Sequence, residues 1–195
     1  GIDSKIKPLD ITADEFEREV GKNRTPRSQA SAMEHAIRKH CKVRLNTDPV
    51  YYRRISEKLE EILKRYKDNW DEQVRYLKQL RKEIREGRKA EESGLDPQKH
   101  APFFEMLKDI AFKDKKPPKN VDEQMKKITV DIVNVIALEI GKVGFWGNAF
   151  KEKHLRALID DILLYSNAPE LVEKKEQIVT DFMKLAKNRK EEILN

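Results

Sequence analysis

Five cations recur at three- and four-residue spacing in one short stretch: Arg75, Lys78, Arg81, Lys82 and Arg85. On a helix that spacing makes them neighbours. A row of cations neutralises phosphates and gives salt-dependent, sequence-independent attraction. A second set, Lys113, Lys115, Lys116 and Lys119, crowds the stretch "KDKKPPKN" and offers the same chemistry. A third, Tyr51 with Arg53 and Arg54, supplies a ring to stack on a base and guanidiniums to pair with phosphate. The same trio also suits a patch where another protein docks. The plain alternative for the charged rows is a solvated face whose long stems cover apolar surface.

Residue types suited to covalent or metal chemistry do not converge. His35 and His40 are five apart, so a helix sends them to different faces, and His100 and His154 stand alone. Cys41 has His40 as its chain neighbour, but adjacent helical residues diverge by about 100°, so the thiol reads as a small core residue. Asp160 and Asp161 diverge for the same reason. Glu173-Lys174-Lys175 has the letters of a nuclease E-x-K, yet it falls in a helical stretch with no strand before it. There is no phosphate-binding loop and no G-x-G-x-x-G turn; the glycines at 141, 144 and 147 lack the Lys-Ser/Thr that grips phosphate and magnesium. No catalytic residue and no metal ligand set is assigned.

The elements that must position these groups follow from composition and periodicity. The chain has 195 residues, 39% charged and 38% hydrophobic, with only 7 Gly and 8 Pro. That balance predicts a helical protein with a densely charged surface. The net charge of +6 sets 41 bases against 35 acids, so a basic stripe on one face matters more than the total. A single cysteine excludes an intramolecular disulfide and points to a reducing, cytoplasmic setting. The chain opens "GIDSKIKPLDI", with neither Met nor signal peptide, which reads as a piece of a longer protein. Asp131, Asn134 and Glu139 interrupt the longest apolar run, so no membrane span is expected.

Residues 1–11 read as an arm, followed by a short helix capped by Thr12. A helix from about Ser28 to Arg44 turns Ala30, Met33, Ile37 and Cys41 to one side. Asp48-Pro49 starts the next, with Tyr52, Ile55, Leu59, Ile62, Leu63 and Tyr66 as its stripe. Trp70, Val74, Leu77, Leu80 and Ile84 face inward on the fourth, which packs antiparallel on its predecessor. A shorter helix spans roughly Ala101 to Phe112. The segment after Lys119 is apolar nearly all round and rich in β-branched residues, so a strand rivals the helix; about twenty residues without turn chemistry favour a central, buried helix. Two amphipathic helices close the chain, the first with Phe150, Leu155, Leu158 and Ile159 inward. The expected architecture is all-α, a multi-helix bundle of about seven helices in two packed lobes: an arm or linker at 1–27, a first lobe at 28–112, a basic linker at 113–120 and a second lobe at 121–195.

The stretch "ASAMEHAIRKHCKVRLNTDPVYYRRISEKLEEIL" resembles the C-terminal region of the restriction (motor) subunit of type I restriction–modification enzymes. Glu34 to Arg38, Asp48-Pro49, Tyr51-Tyr52 and Ile55 to Leu63 carry the likeness. "GLDP", "PFFEML" and "FWGNAFKEKHLRALIDDILL" extend it more loosely across residues 28–190. The resemblance implies a parent subunit that translocates and cleaves DNA with ATP and Mg, both belonging to domains outside this chain. It also implies methyltransferase and specificity subunits as partners, with non-specific DNA contact as an accessory. This chain would be the non-catalytic docking region, needing no cofactor and no membrane. Two rivals come from other classes: a free-standing helical nucleic-acid-binding regulator, and a helical hydrolase. The helix after Asp48 turns acidic beyond Arg54, against the first, and no convergent acid–base site supports the second.

Overall fold

A computed structural model describes residues 10–23, 25–88, 93–113 and 115–195. Among these residues there are ten helices, seven of them of seven or more residues, and no strand. The all-α expectation holds. The helices divide into two compact units. One takes the described residues up to Leu45 together with Tyr51–Gly87; the other takes Asn46–Val50 and the described residues of Arg88–Asn195.

The first unit contains α1 (Phe16–Gly21), α2 (Pro26–Arg44), most of α3 (Pro49–Arg65) and α4 (Trp70–Glu86). Thr25 starts α2: its Oγ1 accepts the Ser28 amide at 3.2 Å, and Pro26 fills the first helical position, where it forfeits no hydrogen bond. Asn69 starts α4 by accepting the Glu72 amide at 3.1 Å. Ala30, Met33, Ile37 and Cys41 are buried, as their spacing requires, against Ile55, Leu59, Val74, Leu77, Leu80 and Ile84. α4 packs on α2 and reaches α3 through side chains, Lys58 Nζ meeting Glu83 at 2.5 Å.

The segment before α2 is more than an arm. Ile11, Phe16 and Val20 are buried in this core. Thr12 does not cap α1; its amide and hydroxyl both donate to Asp10 Oδ1, and the helix begins at Phe16.

The second unit contains α5 (Ala101–Phe112), α6 (Lys119–Ile140), α7 (Ala149–Leu164), α8 (Pro169–Glu173), α9 (Lys175–Asn188) and α10 (Lys190–Leu194). The segment with two readings is a helix, α6. Its β-branched residues are accommodated because Ile132, Val133 and Ile136 are wholly buried by neighbours on several sides, and Thr129 Oγ1 donates back to the Met125 carbonyl at 2.8 Å. Tertiary burial outweighs the local strand preference here.

α5 belongs to this unit, not to a lobe ending at 112. Phe103 meets Phe182 of α9 edge-on, centroids 5.1 Å apart, and Phe104 and Leu107 join the core of α6 and α7. The basic stretch 113–120 therefore connects two helices within one unit. The residues 46–48 are held in the same unit by long-range polar contacts. Arg189, buried at the break between α9 and α10, donates to the Thr47 carbonyl at 2.7 Å and the Gln98 carbonyl at 2.5 Å. Asp48 accepts both Nε and Nη2 of Arg88, at 2.5 and 2.8 Å, in a nearly buried pair.

Two residues expected inside lie outside. Trp70 is the first residue of α4 and remains partly exposed under the Arg27 guanidinium, 5.5 Å from its ring. Phe150 stands in the first turn of α7 and is 88% exposed. A helical side chain leans toward the turn N-terminal to its own Cα, and in a first turn no helical turn lies there to bury it.

Candidate partner and nucleic-acid interface

The cationic row on α4 does not form one surface. Val74, Leu77 and Ile84 define the buried side, and Arg81 lies seven residues after Val74, three before Ile84 and four after Leu77. It is therefore carried inward and is buried. Each nitrogen of its guanidinium engages the entering chain: Nε donates to the Ile11 carbonyl at 2.9 Å, Nη2 to the Ala13 carbonyl at 2.7 Å and Nη1 to Glu17 at 2.9 Å. The Phe16 ring lies 5.1 Å beneath it. The expectation that Arg81 offers its charge to a partner is corrected: a charge so placed organises the unit's own backbone. The signal was in the sequence, since the heptad step from Val74 already marks the inner face.

The rest of the row faces water. Lys78 is exposed. Lys82 is exposed, with Glu86 at 3.8 Å, Arg75 pairs with Glu72 at 2.6 Å and Arg85 pairs with Asp14. Exposed pairs of this kind are worth at most about 1 kcal/mol and exchange readily for another anion. Lys113, Lys115, Lys116 and Lys119 are all exposed around the α5–α6 connection. Lys113 follows α5 with φ of 53°, and the Lys115 amide donates to the Phe112 carbonyl at 3.0 Å.

The Tyr51, Arg53 and Arg54 group separates likewise. Tyr51 is half-buried; its hydroxyl donates to the Glu83 carbonyl at 3.3 Å and its ring meets Tyr52 edge-on at 5.1 Å. It braces α3 on α4 rather than presenting a stacking face. Tyr52 in turn meets His40 at 5.6 Å. Arg53 and Arg54 are exposed.

Sequence spacing missed an aromatic–cation cluster at the far end of the same helix pair. Tyr66 and Tyr76 stack with centroids 4.4 Å apart and planes 12° from parallel, and the Arg75 guanidinium sits 4.8 Å from the Tyr76 ring. They line a shallow cleft with Lys58, Glu61, Arg65 and Gln79. The two tyrosines are ten positions apart, Tyr66 in the turn just after α3 and Tyr76 on α4, so no periodicity within one helix announces them.

The groups considered for catalysis sit apart. Burial raises the Cys41 thiol and lowers the His40 imidazole, which opposes a thiolate–imidazolium pair. Lys174 donates to the Ile110 carbonyl at 3.0 Å, and Lys175 pairs with Asp160 at 2.6 Å, which raises that lysine. Both lysines of the E-x-K letters thus serve packing within the unit. Among the described residues no three His, Cys, Asp or Glu side chains gather as a metal ligand set, and no helix is long and apolar enough to cross a membrane.

What these features define is an all-helical domain with two cores and a densely charged exterior. The comparisons give its family: a model described as type I restriction enzyme HindI endonuclease subunit-like, C-terminal, matches residues 2–192, and the chain belongs to that family. It is the C-terminal region of a type I restriction enzyme subunit. The match begins well before residue 28, in keeping with the place of Ile11 and Phe16 in the core. Neither the curated proteins nor the solved structures give a match.

Proposed function

We propose that this chain is a non-catalytic docking module, tethering an endonuclease subunit to the methyltransferase–specificity core of its enzyme, with an accessory grip on DNA phosphate. The parent subunit would use ATP and Mg in other domains to translocate and cleave DNA. The observation that carries the reading is the family match across residues 2–192, to a named part of an endonuclease subunit. The polar groups of the chain support it: its buried cations, Arg81 and Arg189, hold its own backbone carbonyls, while Lys78, Lys82 and the lysines at 113, 115, 116 and 119 remain exposed.

Phosphate contact by such lysines is long-ranged, indifferent to base sequence and weakened by salt. It suits a module that must stay near DNA while another domain moves along it. The test is DNA retention by the chain with Lys78, Lys82, Lys115 and Lys116 reversed to Glu. Weaker binding to duplexes of any sequence, with helicity intact, is expected. Unchanged binding rejects the DNA grip, and a defined sequence footprint rejects its non-specific character.

A further inference from the structure

The cleft walled by Tyr66 and Tyr76 lies within the first unit, between α3 with its following turn and α4. Its volume is about 210 Å³. Clefts that take drug-sized ligands run to roughly 300–1,000 Å³, so this one suits a single ring. Ile62 and Leu80 give it an apolar lining, and Gln79 adds an amide that both donates and accepts. The two tyrosines are already stacked, centroids 4.4 Å apart and planes 12° from parallel. A further flat ring entering the cleft meets a preorganised aromatic wall.

The carboxylates in and beside the cleft are engaged: Glu83 meets Lys58 at 2.5 Å, Glu61 meets Arg65 at 2.7 Å and Glu72 meets Arg75 at 2.6 Å. The cations of α4 run alongside. Tyr76, Gln79 and Glu83 line the cleft, and each directly follows a cation in the chain: Arg75, Lys78 and Lys82. Successive helical residues diverge by about 100°, so these three cations, at steps of three and four, form a second stripe beside the first. All three are exposed. The Arg75 guanidinium joins the two stripes, 4.8 Å from the centre of the Tyr76 ring.

We propose that this cleft takes one unpaired base of a single DNA strand, with the adjoining phosphates on Arg75, Lys78 and Lys82. The inference rests on the DNA grip proposed above and deepens it: the strand is held by a base as well as by phosphate. A cationic track beside aromatic rings is how single strands are bound without regard to sequence. A base inside a duplex is paired and stacked, so it has no free face to offer. A protein side chain fits the cleft but brings no regular row of anions for the stripe. The Gln79 amide, donor and acceptor at once, matches the mixed edge of a base.

The test measures the chain by fluorescence anisotropy against three probes: an oligothymidylate, an abasic strand of the same length, and a duplex. The unaltered chain should bind the oligothymidylate roughly tenfold or more tightly than the abasic strand, as one stacked base provides. Tyr66→Leu with Tyr76→Leu should erase that difference, with helicity and duplex affinity unchanged. Tyr66→Phe with Tyr76→Phe should keep most of it. Equal affinity of the unaltered chain for the oligothymidylate and the abasic strand overturns the proposal without any variant, and duplex binding alongside it leaves the phosphate grip standing. No affinity for any of the three probes removes the DNA grip itself. A base-dependent difference that survives the leucine pair puts the base elsewhere and overturns the cleft. Loss of affinity for the methyltransferase–specificity core in the leucine pair, with base dependence preserved, assigns the cleft to protein and overturns the proposal likewise.

Discussion

Arg81 of α4 holds the carbonyl of Ala13 at 2.7 Å, 68 residues away along the chain. Through this bond and its partners at Ile11 and Glu17, the segment that enters the first unit is fastened to the helix that leaves it. A hydrogen bond from a charged group contributes roughly 1.5–3 kcal/mol, and removing the cation leaves buried carbonyls unmet. Arg81→Ala should therefore destabilise the first unit by about 2–4 kcal/mol, with Arg81→Lys recovering part. Each unit has one tryptophan, Trp70 and Trp146. Urea denaturation followed by Trp70 in a Trp146→Phe background should show the loss. An unaltered transition would make the Arg81 contacts energetically idle.

Lys78 and Lys82 are exposed on the same helix and should behave in the opposite manner. Reversing both to Glu should leave the Trp70 transition within about 0.5 kcal/mol of the original, as exposed substitutions usually do. It should lower the slope of log affinity against log salt by about 0.9 for each phosphate no longer neutralised. Fluorescence anisotropy on a labelled duplex at four salt concentrations measures both affinity and slope. A slope that does not move removes these lysines from the interface.

The contrast between Arg81 and Lys78 marks what the sequence could reveal. Helix positions and inner faces were legible wherever apolar residues recur at three and four, as at Ala30, Met33, Ile37 and Cys41. The same rule applied to Arg81 would have buried it; its charge obscured its position. α6 was readable by length, although its β-branched residues argued locally for a strand. The division into units was not legible, because Asp48, Arg88 and Arg189 create it through contacts far apart in the chain. Phe150 and Trp70 were misassigned for one geometric reason, their place in a first turn.

The Asp48–Arg88 pair tests that division. With side chains only 7% and 11% exposed, breaking this two-bond ion pair costs about 3–5 kcal/mol. Asp48→Ala should lower the transition reported by Trp146 in a Trp70→Phe background. If only the Trp70 transition moves, residues 46–50 do not stabilise the second unit.

Acid should weaken both units. Burial lowers His40 in the first and His100 in the second. In each case the folded chain prefers the neutral ring, so the unfolded chain takes up protons first as pH falls. The stabilisation is fully present above the ordinary histidine value of about 6.5 and is lost as pH drops from there through the lowered folded value. His40→Gln should flatten this dependence at Trp70 and leave it unchanged at Trp146. A dependence equal in the variant and the original would assign it to other groups.

The central claim is that the chain works by contact with a larger companion. Isothermal titration of the purified chain into a methyltransferase–specificity complex of the same system tests it most directly. Docking predicts saturable binding that survives addition of nuclease to remove DNA. No binding across the accessible concentration range, with both tryptophan transitions cooperative and the chain folded, would contradict it.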